Sequence, residues 1–455
     1  MAKLFDIIKA LQGAQGSIAK QAIMDSHKED EVFKAYMKAT YDTSINYYQA
    51  KVPAGPYYWG LDASDYPSGV FDFSDALLTV GQLANRVVTG NAATKHLHSL
   101  MCSLSPEGKE LVTLLINRSI GASIGSTMVL KTWPNLFFSV PYMRCKGMDA
   151  KVKAHYAGLP CFVVQKKADG SFAYLSAEAA TTRQGSQYPK WFVERMNDGI
   201  PDDVVLVGEM EVFDNRELMK RAEGNGVLNS VMKGESEEAF NQYQFVFTAW
   251  DSLSKIEYGQ GSSDRGYEAR FKVMMEVVKH CKSAIVPIEC YIVASIAEAN
   301  AIHLHHTSRG LEGTVWKTPN GKWRNSSSGT IDAVKNKVVF EADYEITGCY
   351  EGEGKASGML GGLTIATPCR KITNNVGSGF TDKQRKELWS IREQLVGRIV
   401  AVEANDITTS RSKDTLSLSL PIVVEVREDH DKQEADTLER VYEQFEAAKE
   451  GRISA

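Results

Sequence analysis

Val163-Val164-Gln165-Lys166-Lys167-Ala168-Asp169-Gly170 carries an apolar, strand-like run into two lysines and a tight Asp-Gly turn. A lysine two residues before Asp-Gly presents a primary amine at a strand end, where glycine tolerates positive φ and lets a ligand approach the backbone. To act as a nucleophile that amine must lose its proton near neutral pH, which desolvation or a neighbouring cation can arrange. The same residues also make an ordinary surface hairpin, and taken alone they favour that simpler reading.

At 455 residues the chain is too long for one core, so two or three domains are expected. Hydrophobic residues at 43%, charged residues at 24% and a formal net charge of −5 fit a soluble globular protein and do not mark a general polyanion binder. Any nucleic-acid contact must then come from local basic patches. Seven scattered cysteines with no C-x-x-C pair argue for free thiols in a reducing compartment and against a zinc site. No apolar stretch approaches the length of a membrane span and the N-terminus lacks a signal pattern, so a cytoplasmic location is expected.

From the start to about Lys131 the pattern is helical, with Val32, Phe33, Tyr36, Met37, Thr40 and Tyr41, and then Leu77, Leu78, Val80, Leu83, Val87 and Val88, at three- and four-residue steps. The small residues Gly121 to Ser126 suit close helix packing or the approach of a phosphate. Trp133 to Lys146, with its two prolines, reads as a linker. Beyond it, Cys161 to Gln165, Val204 to Val207, Gln244 to Trp250 and Ala284 to Val286 are strand candidates. Helices are expected around Tyr188 to Asn197, Glu268 to His280 and Ser295 to His306, which is α+β; His303, His305 and His306 are read as a solvated helix end. From Phe340 onward, alternating runs such as Ala342 to Gly348 and Leu416 to Leu420 predict a small antiparallel barrel, with Glu351 to Gly362 as a hairpin loop. Asp436 is the expected N-cap of a terminal helix that docks through Leu438, Val441, Tyr442 and Phe445.

Charged residues embedded in strand-like sequence need a reason to be there. Gly208-Glu209 closes an apolar run, and Glu312 opens Gly313-Thr314-Val315-Trp316-Lys317. Two such carboxylates can hold a hard divalent cation, or each can be a strand-end salt bridge. Lys335 and Lys337 fall on one face of a strand, suited to a phosphate or to guarding a sheet edge. Trp250 ends the run Phe245-Val246-Phe247 and offers either a plane for base stacking or a core side chain.

In this order the turn lysine, the glutamates, the tryptophan and the lysine pair resemble the nucleotidyltransferase superfamily of ATP-dependent DNA ligases. Lys20-Gln21-Ala22-Ile23, Thr89-Gly90-Asn91-Ala92-Ala93, Gly377-Ser378-Gly379 and Arg427-Glu428-Asp429 extend the likeness to phage members across the chain. The resemblance implies a multidomain chain: an all-α DNA-binding domain at 1–133, an α+β nucleotidyltransferase (adenylylation) domain at 134–340, and an OB-fold β-barrel domain with a terminal helix at 341–455. It implies that Lys167 takes AMP from ATP, that Gln165 reads the adenine amino group, and that Arg183 lies near the ribose and the DNA end. Glu209 and Glu312 would serve ribose and Mg2+, Trp250 would stack on adenine, and Lys335 and Lys337, assisted by Lys317, would hold the α-phosphate. Arg427 would orient pyrophosphate as the leaving group. ATP and Mg2+ as cofactors, nicked double-stranded DNA as partner, a monomer with no obligate protein partner, and a host-cell cytoplasmic location follow from the same likeness. The chain departs from the family at Phe172, where arginine is usual, at Val207, where aspartate is common, and at His430, where lysine is usual. An RNA ligase or capping-type nucleotidyltransferase would share the lysine and carboxylates without needing the helical domain. A non-catalytic DNA-binding protein on the same fold would be favoured only by Phe172 and Val207.

Overall fold

The computed structural model describes residues 2–49, 52, 57–58, 61–62, 73–196, 199–233, 237–281, 284–352, 356–409, 415–428 and 432–451. They form two compact units, one comprising 1–140 with 181–187 and the other 141–180 with 188–455.

The first unit is helical, with Ala2–Gly13, Gly16–Ser26, Glu31–Tyr41, Phe73–Ala84, Gly90–Ser103, Pro106–Ile116 and Ser126–Thr132. Local chemistry fixes several of its helix starts. The Asp30 carboxylate accepts from the Val32 and Phe33 N–H groups, and Ser105 caps a helix whose first residue is proline. Phe33, Tyr36, Met37, Leu97 and Leu111 lie in its core, whereas Val32, Leu78 and Val87 are exposed. An apolar stripe only about 100° wide cannot take in every apolar residue of such runs. The expected linker is ordered at both ends. Trp133 packs edge-on against Phe33 at 5.4 Å and donates to the Lys28 carbonyl at 2.8 Å, so it belongs to the helical core, while Met143–Gly147 is a strand.

The second unit opens with two sheets. One has the order Cys290–Val293, Phe162–Lys166, Gly313–Lys317, Ser326–Lys337, Met143–Gly147, antiparallel except for its last pair. The other runs Ile285–Pro287, Tyr243–Ser254, Val204–Asp214, Ser171–Ser176, Ala180–Thr182. The strands on either side of Asp169-Gly170 therefore belong to different sheets, and the expected hairpin is instead a crossing. Gly170 does not have positive φ; a Cβ there would collide with the Met210 carbonyl, so close approach is what demands glycine.

Period-two alternation sends Phe162 and Val164 into a core with Val152, Tyr156, Trp316 and Val334, and so turns Gln165 to the opposite face. Helices Lys190–Met196, Arg221–Met232, Tyr267–His280 and Ile296–Thr307 complete this part. His306 is not a solvated helix end: it is fully buried, neither ring nitrogen has a hydrogen-bond partner, and His303 meets the Thr314 hydroxyl at 3.2 Å.

The C-terminal part is an antiparallel sheet of five strands in the order Thr373–Val376, Leu360–Ala366, Phe340–Glu351, Ile399–Ala404, Ile422–Val426, beside the pair Asp406–Thr409 and Leu416–Ser419. The hairpin expected after Glu351 is present. Among the described residues the barrel is not closed by strand pairing: the two edges are joined by the Val423 N–H donating to the Ser378 carbonyl at 2.9 Å. The terminal helix Leu438–Lys449 is capped by Thr437 rather than Asp436. Asp436, one residue earlier, is buried and accepts from the Asp343 N–H and Lys432, which leaves it unable to cap. Val441 and Phe445 dock the helix, while Tyr442 faces outward. No helix among the described residues is long and apolar enough to cross a membrane.

Candidate active site around Lys167

Cross-strand pairing collects the site from distant parts of the sequence. Gln165 faces Val315, Val315 faces Lys335, Gly313 faces Lys337 and Val163 faces Lys317, and directly paired residues share a face. Gln165, Lys317, Lys335 and Lys337 thus stand on one side of the first sheet, and just past the end of the strand Phe162–Lys166 the Lys167 N–H donates to the Gly313 carbonyl at 2.9 Å.

The Lys167 ammonium lies 2.6 Å from Glu312 Oε2, and Lys337 binds the other oxygen of the same carboxylate. Burial alone would lower the Lys167 pKa, but Glu312 and Glu209 outweigh it and hold the amine above its ordinary value. Burial likewise favours a protonated Glu312, yet Lys167 and Lys337 keep it below the usual carboxylate range. Glu209 accepts from the Gly170 N–H at 2.7 Å, and burial pushes it up to about 7 despite Lys167. Its other oxygen makes no hydrogen bond among the described residues.

Gln165 is buried, and its amide donates at 2.5 Å to the Tyr267 hydroxyl, which donates to the Trp250 carbonyl at 3.2 Å. The Gln165 amide oxygen has no partner among the described residues. The Lys317 ammonium sits over the Tyr267 ring at 4.3 Å and reaches the Trp250 carbonyl at 3.4 Å. Its pKa is lowered to about 8, mainly by burial. Lys335 is held below its ordinary value by burial and then by Lys337, and it forms no ion pair among the described residues. A cluster of cations held this short of counter-charge is suited to an anionic ligand.

Trp250 is half-buried and inclined at 48° to Phe172, with ring centroids 5.9 Å apart. Phe172 continues into Tyr142 at 4.9 Å and Tyr174 at 5.0 Å, so the departure from arginine is absorbed into an aromatic cluster. Val207 is buried in register with Asp251.

Two further expected residues come from other parts of the chain. Arg183 lies in the 181–187 segment, which belongs to the helical unit. Arg427 is taken up by Asp343 at 3.0 Å, Glu341 at 3.0 Å and Glu425 at 2.9 Å. Asp429 and His430 lie outside the described residues. Lys432, two residues beyond His430, pairs with Asp343 at 2.7 Å and Asp436 at 2.9 Å.

Sequence reading missed Tyr267, the buried Asp251–Arg270 pair at 2.9 Å, and Arg221, whose guanidinium is 3.3 Å from Asp169. Only Asp251 adjoined a residue already singled out. The others come from helices whose charged residues look like ordinary helix surface in sequence.

The chain passes between two sheets at the turn lysine, and an antiparallel sheet of five strands follows them. Residues 351–427 match the family model for the DNA ligase OB-like domain. The chain is 26% identical to the DNA ligase of Enterobacteria phage T6 over 494 aligned residues, covering 97% of this chain and 99% of that protein, and the same figures hold for phage T4. DNA ligase 2 of Methanosarcina mazei is 27% identical over 172 residues, 34% of this chain and 30% of that protein. Among solved structures, Pmar-Lig_PreS3 superposes with a TM-score of 0.69 at 20% identity, covering 92% of this chain and 98% of that one, which shows the shared fold. The chain is thus similar in sequence to the DNA ligases of phages T6 and T4 over 97% of its length.

Lys317 carries a prediction of its own. A pKa lowered from 10.5 to about 8 means that the charged form loses on the order of 3 kcal/mol in the folded state at about 1.4 kcal/mol per unit. That destabilisation is fully present below about pH 8 and is relieved as pH rises toward the unfolded value. Lys317→Met is therefore expected to raise the thermal midpoint at pH 7 while lowering enzyme–AMP formation. A variant that is less stable than the parent at pH 7 would contradict this.

Proposed function

We infer that the protein is an ATP-dependent DNA ligase that seals 3′-hydroxyl/5′-phosphate nicks in duplex DNA, with Lys167 as the residue that carries AMP. The observation that carries this reading is Lys167 held 2.6 Å from Glu312 at the crossing of two sheets, on the rim of a face bearing Lys317, Lys335 and Lys337. The Lys167 amine, once its proton has left, attacks the α-phosphorus of ATP; a P–N bond forms and the bond to pyrophosphate breaks. The 5′-phosphate of the nick then displaces Lys167 from the adenylate, and the 3′-hydroxyl displaces AMP to close the phosphodiester. Lys335 and Lys337 hold the phosphate whose charge grows in each step, with Lys317 behind them. Gln165 has an amide oxygen to offer the adenine amino group, and Trp250 a plane for its ring. Arg183 would act near the ribose and DNA end, and Arg427 on pyrophosphate, from their own parts of the chain.

The residues fit a magnesium ion held mostly by substrate phosphates and water. Among the described residues no three His, Cys, Asp or Glu side chains gather to bind a metal by themselves, but Glu209 keeps an oxygen free of hydrogen bonds. Glu209 and Glu312 would be its protein ligands, and when bound the ion would supply counter-charge at the phosphates. The domains would span 1–133, 134–340 and 341–455, the helical one contributing DNA-backbone contacts and the whole acting as a monomer.

The test is sealing of a nicked duplex with ATP and Mg2+, GTP and a 5′-hydroxyl nick being the expected failures. Glu312→Ala is expected to lower turnover about a hundredfold or more and to shift its magnesium dependence, whereas Trp316→Phe, in the core on the opposite face, changes mainly stability. Equal losses in the two variants across a magnesium titration would count against Glu312.

A further inference from the structure

Arg221 is a cation paired with Asp169 of the Asp169-Gly170 turn that the reading above leaves without a task. It opens the helix Arg221–Met232, and its guanidinium is 3.3 Å from Asp169 with about half of the side chain exposed. The same group bears electrostatically on Lys167, Asp169 and Glu209, from an element belonging to neither lysine-bearing strand. No side chain caps this helix at Lys220, which leaves first-turn N–H groups and the positive end of the helix dipole beside the guanidinium. Phe172, on the strand that leaves the turn, is packed against Tyr142, Tyr174 and Trp250 and offers no charge there.

Resting on the ligase reading, we propose that Arg221 binds the 5′-phosphate at the nick and so makes the adenylylated enzyme select phosphorylated ends. An ion pair this exposed is weak, so Arg221 leaves Asp169 readily for a doubly charged phosphate, which its planar fork engages through two parallel N–H donors. Lys317, Lys335 and Lys337 approach from the first sheet and serve the phosphate of AMP. Arg221 approaches from the helix that connects the strands Val204–Asp214 and Tyr243–Ser254 of the second sheet, which leaves the two phosphates separate cationic partners.

The test uses the full chain, adenylylated and then held in chelator so that no transfer occurs, binding nicked duplexes that differ only in a 5′-phosphate or a 5′-hydroxyl. The parent protein is expected to favour the phosphate by about tenfold or more, the worth of one charge-assisted contact. Arg221→Gln is expected to bring the two nicks within about twofold of each other while its self-adenylylation stays within about threefold of the parent's. Phe172→Arg added to Arg221→Gln is expected to restore part of the preference, because it returns a cation beside the turn. An Arg221→Gln protein that keeps the full preference overturns the proposal. So does one that loses self-adenylylation as severely as the preference, since Arg221 would then only brace the turn. A parent protein that forms enzyme–AMP but joins no nick overturns the ligase reading itself, a result the binding comparison does not produce.

Discussion

A Lys167→Ala protein is expected to form no enzyme–AMP at all, yet to join a nick that already carries AMP on its 5′-phosphate, without ATP. The loss is complete because no other amine takes its place: Lys337 is bound to Glu312, and Lys317 is buried against Tyr267 and the Trp250 carbonyl. The final joining step needs the 3′-hydroxyl positioned and the growing phosphate charge countered, and Glu209, Glu312, Lys335 and Lys337 remain to do so. Joining should require magnesium and fall sharply when Lys335→Ala is added. A Lys167→Ala protein that binds the preadenylated nick and never seals it would give this lysine a further role in the last step. A parent protein that fails on the same substrate would contradict the assignment as a ligase.

The second large effect is expected at Arg270, a residue that touches no substrate in this account. Its guanidinium binds both oxygens of Asp251, at 2.9 and 3.0 Å, and also reaches the Arg265 and Gly321 carbonyls, with both side chains almost wholly excluded from solvent. Arg270→Leu leaves the Asp251 carboxylate buried without its partner, which costs about 3–5 kcal/mol. Asp251 adjoins Trp250, whose carbonyl anchors Tyr267 and Lys317, so adenylylation should fall together with stability. Denaturant unfolding of Arg270→Leu and of the double variant Asp251→Leu, Arg270→Leu reads this directly. The double variant is expected to recover much of the loss, and a single variant as stable as the parent would show that the pair is not what braces this strand.

The ordered motifs were legible because alternation and turn chemistry are local. Gln165, Lys335 and Lys337 could be placed on a strand face from period two alone, and the structure puts them on the same face of one sheet. What period two could not convey is which sheet a strand joins. Asp169-Gly170 has the composition of a hairpin turn, but its flanking strands part company, and only the collision a Cβ would have with Met210 explains the glycine. Long-range ion pairing was equally invisible: nothing in the spacing of Glu341, Asp343, Glu425 and Arg427 announces that they meet. Helix ends were misjudged by one residue where a better use for the acid existed, as at Asp436, whose carboxylate goes to Asp343 and Lys432 while Thr437 caps. The buried His306 looked like part of a polar helix end because helix periodicity does not show that this helix packs on the strands Cys290–Val293, Phe162–Lys166 and Gly313–Lys317.

The central claim is that one particular amine accepts AMP. Lys166 and Lys167 are adjacent, but strand alternation turns Lys166 away from Gln165, and its N–H is bound to the Glu289 carbonyl on the neighbouring chain segment. Exposure of the parent protein to ATP and magnesium, followed by proteolysis and peptide mass mapping, distinguishes the two directly. A single adenylyl adduct on Lys167, formed with ATP and not with GTP, is expected; an adduct on Lys166, or no covalent adduct at all, would contradict the assignment of Lys167.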